Sequence, residues 1–339
     1  MFNSTSSSIH YFSELSSDSQ INAKRELEDI IADTNDLVTT GHNLNVLDIL
    51  CSSFNYKKEI LIYMKDHKIE GFIPLLIIGN KAVSVPHFSY GGYIGRNQIS
   101  SHEYLDFISS LKAKYKGDFL IRDFKKITDY VFEDKVACFL ELERDPEQQF
   151  KKFTSKLRSQ IRKAEKNGLR VEEASIDEFF SIYLISMHRL GSPHLPLEFF
   201  HEIQDNYHGG MVKVFSVRKG NQIIGSSIVL SFKDFSEVTW AATLKEYNHL
   251  APNMLLYWEM INYCITNGMK VFSFGRATKN TGSLKFKKQW GSEEIQLSWN
   301  YGTPRKLRVE SLTFLTNIWK YCPQFIIRRL GPLLTRYIY

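Results

Sequence analysis

The feature that most constrains this chain is that it repeats itself. MVKVFSV at 211–217, the turn Lys219-Gly220-Asn221 and QIIGSSIVLSF at 222–232 read as a β-hairpin, because two β-branched and aromatic runs flank residues that favour a tight turn. EVTWAAT at 237–243 reads as a third strand. PNMLLYWEMINYCITNG follows as a helix that Pro252 opens and Gly268 stops, and KVFSFG at 270–275 is a fourth strand. The same order occurs earlier: EILIYMK (59–65), IEGFIPLLIIG (69–79), KAVSVPHF (81–88), a helix over 101–117 and DFLIRDF (118–124). Corresponding elements start 151 to 156 positions apart, and Gly71 falls where Gly225 does. A near-constant offset over five elements indicates two copies of one α/β unit.

A length of 339 residues with 43% hydrophobic content supports a core in each copy. Residues 1–20, rich in Ser and without apolar period, are expected to be a flexible leader. The first domain is then 21–144 and the second 145–304, the latter opened by Asp145-Pro146-Glu147-Gln148 as N-cap, first-turn proline and third-position Gln. Residues 305–339 mix bases with aromatics, and Pro323 and Pro332 are expected to break any long helix there. This tail either packs on the body or meets a membrane surface through Arg328, Arg329 and Arg336. No apolar run of membrane-spanning length and no secretory start is present, so a cytoplasmic location is expected, at the inner face of the membrane if the tail binds it. Cys51, Cys138, Cys264 and Cys322 form no C-x-x-C pair and signal no metal site.

Two segments can carry chemistry. KKFTSKLRSQIRKAEKNGLR (151–170) holds eight Lys and Arg against the single acid Glu165. Leu157, Ile161 and Ala164 give its helix one apolar face, and Arg158 and Arg162 share another, with Lys163 beside them. The segment reads either as a solvated basic face or as a surface for phosphate on a nucleotide-linked substrate, a lipid diphosphate or tRNA. FSFGRATKNTGSLKFKKQWG (272–291) places Arg276, Lys285, Lys287 and Lys288 just past a strand end, where α/β sheets meet ligands. Either these bases stabilise negative charge on an acyl or phosphate oxygen, or Phe286 and Trp290 pack inward while the lysines face solvent. Asn253 and Tyr257 share a face of the helix that Pro252 opens, as a cap and an amphipathic ring or as ligand contacts, and Tyr247 stands just before it. His188 and His194 lie in a Pro- and Gly-bearing loop and are weaker candidates for a base.

The run FSFGRATKNTGSLKFKKQWG resembles the signature of FemAB-like proteins, F-D-F-G-R-S, a Gly-bearing loop and F-K-K-Q-W-G, especially those associated with exopolysaccharide and PEP-CTERM gene clusters. KLRSQIRKAEKNGL (156–169), MHRLGSPHLPLEFF (187–200), SYGGYIGR (89–96) and RRLGPLLTR (328–336) extend the similarity over most of the chain. The resemblance implies an α/β class, with tandem Gcn5-related N-acyltransferase (GNAT) folds whose mixed central sheets are flanked by helices. It also implies transfer of an acyl or aminoacyl group to an amine of a cell-envelope or exopolysaccharide precursor. By the same resemblance Lys287, directly after Phe286, assists the transition state, and Arg276 holds a phosphate or carboxylate. Ser273 stands where the pattern has Asp, and strand alternation turns its side chain toward the cleft.

No cofactor is tightly bound on this reading, and acyl-CoA or aminoacyl-tRNA serves as co-substrate. TLKEYNHLAPN lacks the Gly-rich loop that cradles a CoA diphosphate, and the basic helix suits tRNA. The expected partners are a phosphate-bearing, nucleotide- or lipid-linked sugar or peptide, with tRNA as a further one. The alternative is a binding protein that recognises a polyanionic glycan-lipid or tRNA through 151–170 and performs no chemistry.

Overall fold

The computed structural model describes residues 7–304, 316 and 319–338. They form two units divided between Val136 and Ala137, with 296–304 belonging to the first and the described residues from 316 onward to the second. The first unit runs β1 (Ser7–Tyr11), α1 (Ser17–Asp33), α2 (Asn45–Phe54), β2 (Lys57–Lys65), β3 (Lys68–Ile78), β4 (Lys81–Val83), β5 (Ile94–Gly95), α3 (Ser101–Tyr115) and β6 (Phe119–Asp123). β7 (Tyr130–Glu141) spans the division in sequence. Next come α4 (Pro146–Lys152), α5 (Ser155–Lys166), β8 (Leu169–Glu173), α6 (Ile176–Leu190), α7 (Leu197–Asn206), β9 (Gly210–Lys219), β10 (Gln222–Phe232) and β11 (Phe235–Thr243). The chain closes with α8 (Pro252–Thr266), β12 (Val271–Thr278), α9 (Gly282–Lys288), β13 (Glu293–Tyr301) and α10 (Gln324–Thr335).

The duplication extends to backbone detail. The first unit orders its strands β1-β2-β3-β4-β6 and the second β8-β9-β10-β11-β12. In each, only the last pair is parallel. On β3, Gly71 pairs with Tyr63 and Ile69 with Met64, leaving Glu70 as an extra residue; on β10, Gly225 pairs with Val217 and Ile223 with Arg218, leaving Ile224 extra. A β-bulge thus precedes the equivalent glycine in both copies. Each glycine is required by close approach. A Cβ on Gly71 would lie 2.1 Å from the Tyr93 hydroxyl, and one on Gly225 2.6 Å from Thr243 Cγ2. Gly117 after α3 and Gly268 after α8 both take left-handed φ, at +76° and +77°, the conformation that ends helices.

The cores follow from the same patterning. In the first unit Leu61, Tyr63, Ile73 and Leu75 of the β2–β3 hairpin bury against Phe107, Ile108 and Leu111 of α3. In the second, α6 packs on β10 and β11 and α8 on β8, β9, β10 and α5. Phe199 and Phe200 of α7 meet the Trp240 ring edge-on at 5.6 and 5.2 Å.

Four expectations are corrected. The leader includes β1, paired with β2 from Ser7↔Lys65 to Tyr11↔Leu61, and the start of α1, whose N-cap Ser16 accepts the Ser19 amide. An outer strand with one buried residue leaves no apolar period to read. KAVSVPHF is a strand only through Val83, because Pro86 and the positive φ of Val85 and His87 turn it. Residues 296–304 return to the first unit, where Ser298–Tyr301 pair antiparallel with β6. Pro332 sits inside α10 rather than ending it. The expectation for 305–315 and 317–318 lies outside the described residues.

Candidate functional site

β11 and β12 pair over three residues only, Phe235↔Val271, Ser236↔Phe272 and Glu237↔Ser273, although both strands continue. Beyond that point the parallel strands part, and a backbone irregularity stands on each. On β11, Val238 pairs with Val229 and Trp240 with Ile228, so Thr239 is a bulged residue that bends the strand. On β12, Gly275 takes φ +68°, which would cost any other L-residue about 1–2 kcal/mol.

Ser273 is fully buried, and its Oγ accepts the Gly275 N–H at 2.9 Å. The hydroxyl therefore folds back on its own strand rather than extending into an opening. A neutral acceptor holds the kink here, whereas a carboxylate would bring a charge into a buried position.

Lys287 rises from α9, whose N-cap Thr281 accepts the Leu284 amide at 3.3 Å. The side chain is buried, and Nζ donates to the carbonyls of Phe274 and, at 2.7 Å, Arg276. These bonds bracket Gly275. Burial pushes the Lys287 pKa down to about 8; nearby Cys138 and Glu237 oppose that shift, and Arg276 adds to it. An ammonium has three N–H groups, so one remains for a further acceptor. Arg276 is half-buried immediately past the kink.

An aromatic wall backs this lysine. Tyr257 of α8 stacks on Phe274 at 5.7 Å and meets Phe286 edge-on at 5.0 Å, and Trp290 lies 6.0 Å from Tyr257. Burial raises the Tyr257 phenol well above the ordinary range. Phe153 joins Trp290, at 5.4 Å, to Trp258, at 5.8 Å, and the Phe150 ring lies tilted beside Trp258 at 5.0 Å. These last rings border a recess of about 630 Å³ lined by Phe150, Lys151, Arg158, Arg162, Trp258 and Asn262 among others. The Arg162 guanidinium lies 5.4 Å over the Phe150 ring. Arg158 donates to the carbonyls of Lys151 and Phe153, both at 2.8 Å, and so fixes the turn from α4 to α5.

The remaining sequence candidates separate from these two places. Lys163 and Lys285 are exposed, and Lys163 does not line the recess. Lys288 pairs with Glu294. The Tyr247 hydroxyl donates to Gln222 at 2.8 Å while its ring packs beside Ile182, Ala242 and Leu244. Asn253 is half-buried in the first turn of α8. His188 bonds the Lys320 carbonyl through Nε2, and His194 is buried, its Nδ1 on the Leu195 carbonyl and its pKa lowered by burial. Neither histidine is presented as a base. Sequence reasoning missed Glu237 and Cys138 near Lys287, and Phe150 and Trp258 in the recess. Glu237, an acid at the head of the apolar EVTWAAT, and Trp258 with Asn262, four apart on α8, were the available signals.

The turn before α8 tests the fit of a CoA diphosphate. In Lys245–Leu250 and the first turn of α8, the amides of Tyr247, Ala251 and Met254 are bonded to the carbonyls of Leu244, Asn248 and Ala251. These three amides are not available as an anion cradle, which leaves the turn a poor fit for that group. Among the described residues no three His, Cys, Asp or Glu side chains gather as metal ligands.

Residues 151–288 match the model of the acetyltransferase (GNAT) domain family. The UDP-N-acetylmuramoylpentapeptide-lysine N(6)-alanyltransferase of Weissella viridescens is 22% identical over 127 residues, or 36% of this chain; the match spans only 38% of that relative's length. The crystal structure of FemX superposes with a TM-score of 0.57 at 13% identity, covering 86% of this chain and 98% of FemX. A tandem GNAT protein from the clavulanic acid biosynthesis pathway gives 0.54 at 10% identity, covering 88% and 100%.

Proposed function

Since the chain is a FemAB-like protein with the GNAT fold, we propose that it transfers an acyl or aminoacyl group to an amine on a phosphate-bearing precursor of the cell envelope or of an exopolysaccharide. The single observation that carries this reading is the parting of β11 from β12 beside Lys287. The paired register of these two strands ends there, and a buried ammonium lies against the backbone of β12 where it ends.

In the reaction the acceptor amine attacks the carbonyl carbon of the donor ester or thioester. A C–N bond forms, the C–O or C–S bond breaks, and the amine's proton ends on the leaving oxygen or sulfur. The charge that develops on the carbonyl oxygen is met by the remaining N–H of Lys287, in surroundings where such a contact is stronger than in water. Arg276, just past the kink, is the candidate for the acceptor's phosphate or carboxylate, and Ser273 acts through the backbone as a positioning residue. Of the two donor classes, aminoacyl-tRNA is favoured, because the turn before α8 is a poor fit for a CoA diphosphate while the recess at α4, α5 and α8 offers Arg162 and two rings to a polynucleotide end.

The two bonds from Lys287 to main-chain carbonyls equally suit a structural clamp, and that observation supports the second reading, a binding protein without chemistry. A mass-spectrometric transfer assay separates them. It uses purified protein, pooled acyl-CoAs and charged tRNAs, and lipid- or nucleotide-linked amino-sugar and peptide acceptors, beside Lys287→Ala. A mass gain that the variant loses supports transfer; no gain from any donor, with salt-sensitive acceptor binding that the variant retains, supports the binding protein.

A further inference from the structure

α10 is built the wrong way out for a helix in water. Its docked face is Ile327, Gly331 and Thr335, at i, i+4 and i+8, all buried. Gly331 lies so close to His194 that a Cβ there would meet the imidazole at 2.7 Å, and Thr335 Oγ1 is 3.3 Å from the His194 carbonyl. Two of these three contacts use small residues. Large apolar side chains lie exposed off that face: Phe325 is 74% exposed and Leu333 61%, with Leu330 and Leu334 also exposed, and Tyr337 and Ile338, exposed in turn, follow the end of the helix. Of the thirteen large hydrophobics exposed among the described residues, seven fall between Tyr321 and Ile338. A surface helix ordinarily shows water its polar side, so this clustering asks for a cover.

The charge on the patch selects the cover. Arg328 and Arg329 are exposed among these apolar groups, and from 311 to 339 the sequence contains no Asp or Glu. Between α6 and α10 a slot of about 220 Å³, lined by Leu184, Ile185, His188, Ile327 and Arg328, places a guanidinium beside apolar walls. No described helix is long and apolar enough to cross a membrane. Apolar and aromatic side chains interspersed with Arg on a short helix are the composition that lies in the plane of a bilayer interface and is drawn to anionic lipid.

We propose that α10, with the adjoining slot against α6, is a docking surface for an anionic lipid bilayer, which the exposed face enters to headgroup depth. The inference is independent of the transfer chemistry and holds whether or not turnover is found.

The test is co-sedimentation of the full chain with vesicles of phosphatidylcholine alone and of phosphatidylcholine mixed with phosphatidylglycerol, in the absence of donor and acceptor. Binding is expected with the mixed vesicles, weakened by salt and by Arg329→Glu, and reduced tenfold or more in Phe325→Ser/Leu333→Ser. Because these side chains are exposed, the double variant should keep the wild-type unfolding curve. Failure to bind either vesicle overturns the proposal, as does equal binding by the double variant. A concentration-dependent dimer that the double variant abolishes, without vesicle binding, would assign the face to a second copy of the chain instead.

Discussion

Lys287 Nζ donates to the main-chain carbonyl of Arg276 at 2.7 Å, so a side chain on α9 holds the backbone of β12 just past its kink. Lys287→Ala removes that donor and, on the transfer reading, the cation facing the oxyanion. Loss of one such donor lowers kcat by about 10²–10³ with KM little changed. Steady-state kinetics in the transfer assay measure it; a rise in KM at constant kcat would make Lys287 a binding group only.

The depressed pKa of Lys287 fixes two pH trends. If the protonated amine stabilises the transition state, kcat falls as pH rises through about 8. For stability the sign is opposite. Between about 8 and the free-lysine value of 10.5 the unfolded chain binds the extra proton at this residue, so the Lys287 contribution to stability increases with pH across that window. Denaturant unfolding of wild type and Lys287→Met over this range should show the stability difference, wild type minus variant, rising with pH.

Gly275→Ala forces a Cβ into left-handed backbone where β12 leaves β11. A loss of about 1–2 kcal/mol is expected in urea unfolding, with transfer reduced beyond what partial unfolding explains. An unchanged midpoint would mean that the kink relaxes without cost.

Trp258→Ala and Arg162→Glu alter the recess without touching Lys287. On the aminoacyl-tRNA reading both raise KM for the charged tRNA, and only the charge reversal also flattens the dependence of binding on salt. Filter binding over a salt series distinguishes the two effects. Equal salt slopes in wild type and Arg162→Glu would remove Arg162 from the binding surface.

Burial pushes the Cys264 thiol up to about 12 and raises Cys138 as well. Iodoacetamide should therefore label Cys322 in the native protein and reach Cys138 and Cys264 only after denaturation. Rapid native labelling of Cys138 would show that the surroundings of Lys287 open to solvent.

β2, β3, α3 and β6 of the first copy and α5, β9, β10, β11, α8 and β12 of the second were legible because their apolar periods are long and their turns carry Gly, Pro and Asn. β1 was not, since an outer strand with a single buried residue has no alternation to display. The return of 296–304 to the first unit was also hidden, because a strand's partner is chosen by tertiary packing, whereas place in the chain alone assigns the segment to 145–304. In the site, Arg276, Lys287 and Trp290 could be found from a contiguous motif. Glu237 and Trp258 come from distant segments, and only tertiary packing brings them to the same places. Ser273 was assigned its direction from ideal alternation, which Gly275 then interrupts two residues later.

A chain that carries one frame twice contains its own control experiment. The bulge before Gly71 recurs before Gly225, and the left-handed stop at Gly117 recurs at Gly268, so these belong to what the architecture needs in order to exist at all. The strand after the stop tells the copies apart: Phe119–Asp123 has no positive φ, whereas Val271–Thr278 is bent at Gly275 and clasped by Lys287. The kink and the lysine that clasps it are therefore particular to the second copy, and a frame that stands without them in one half does not require them twice.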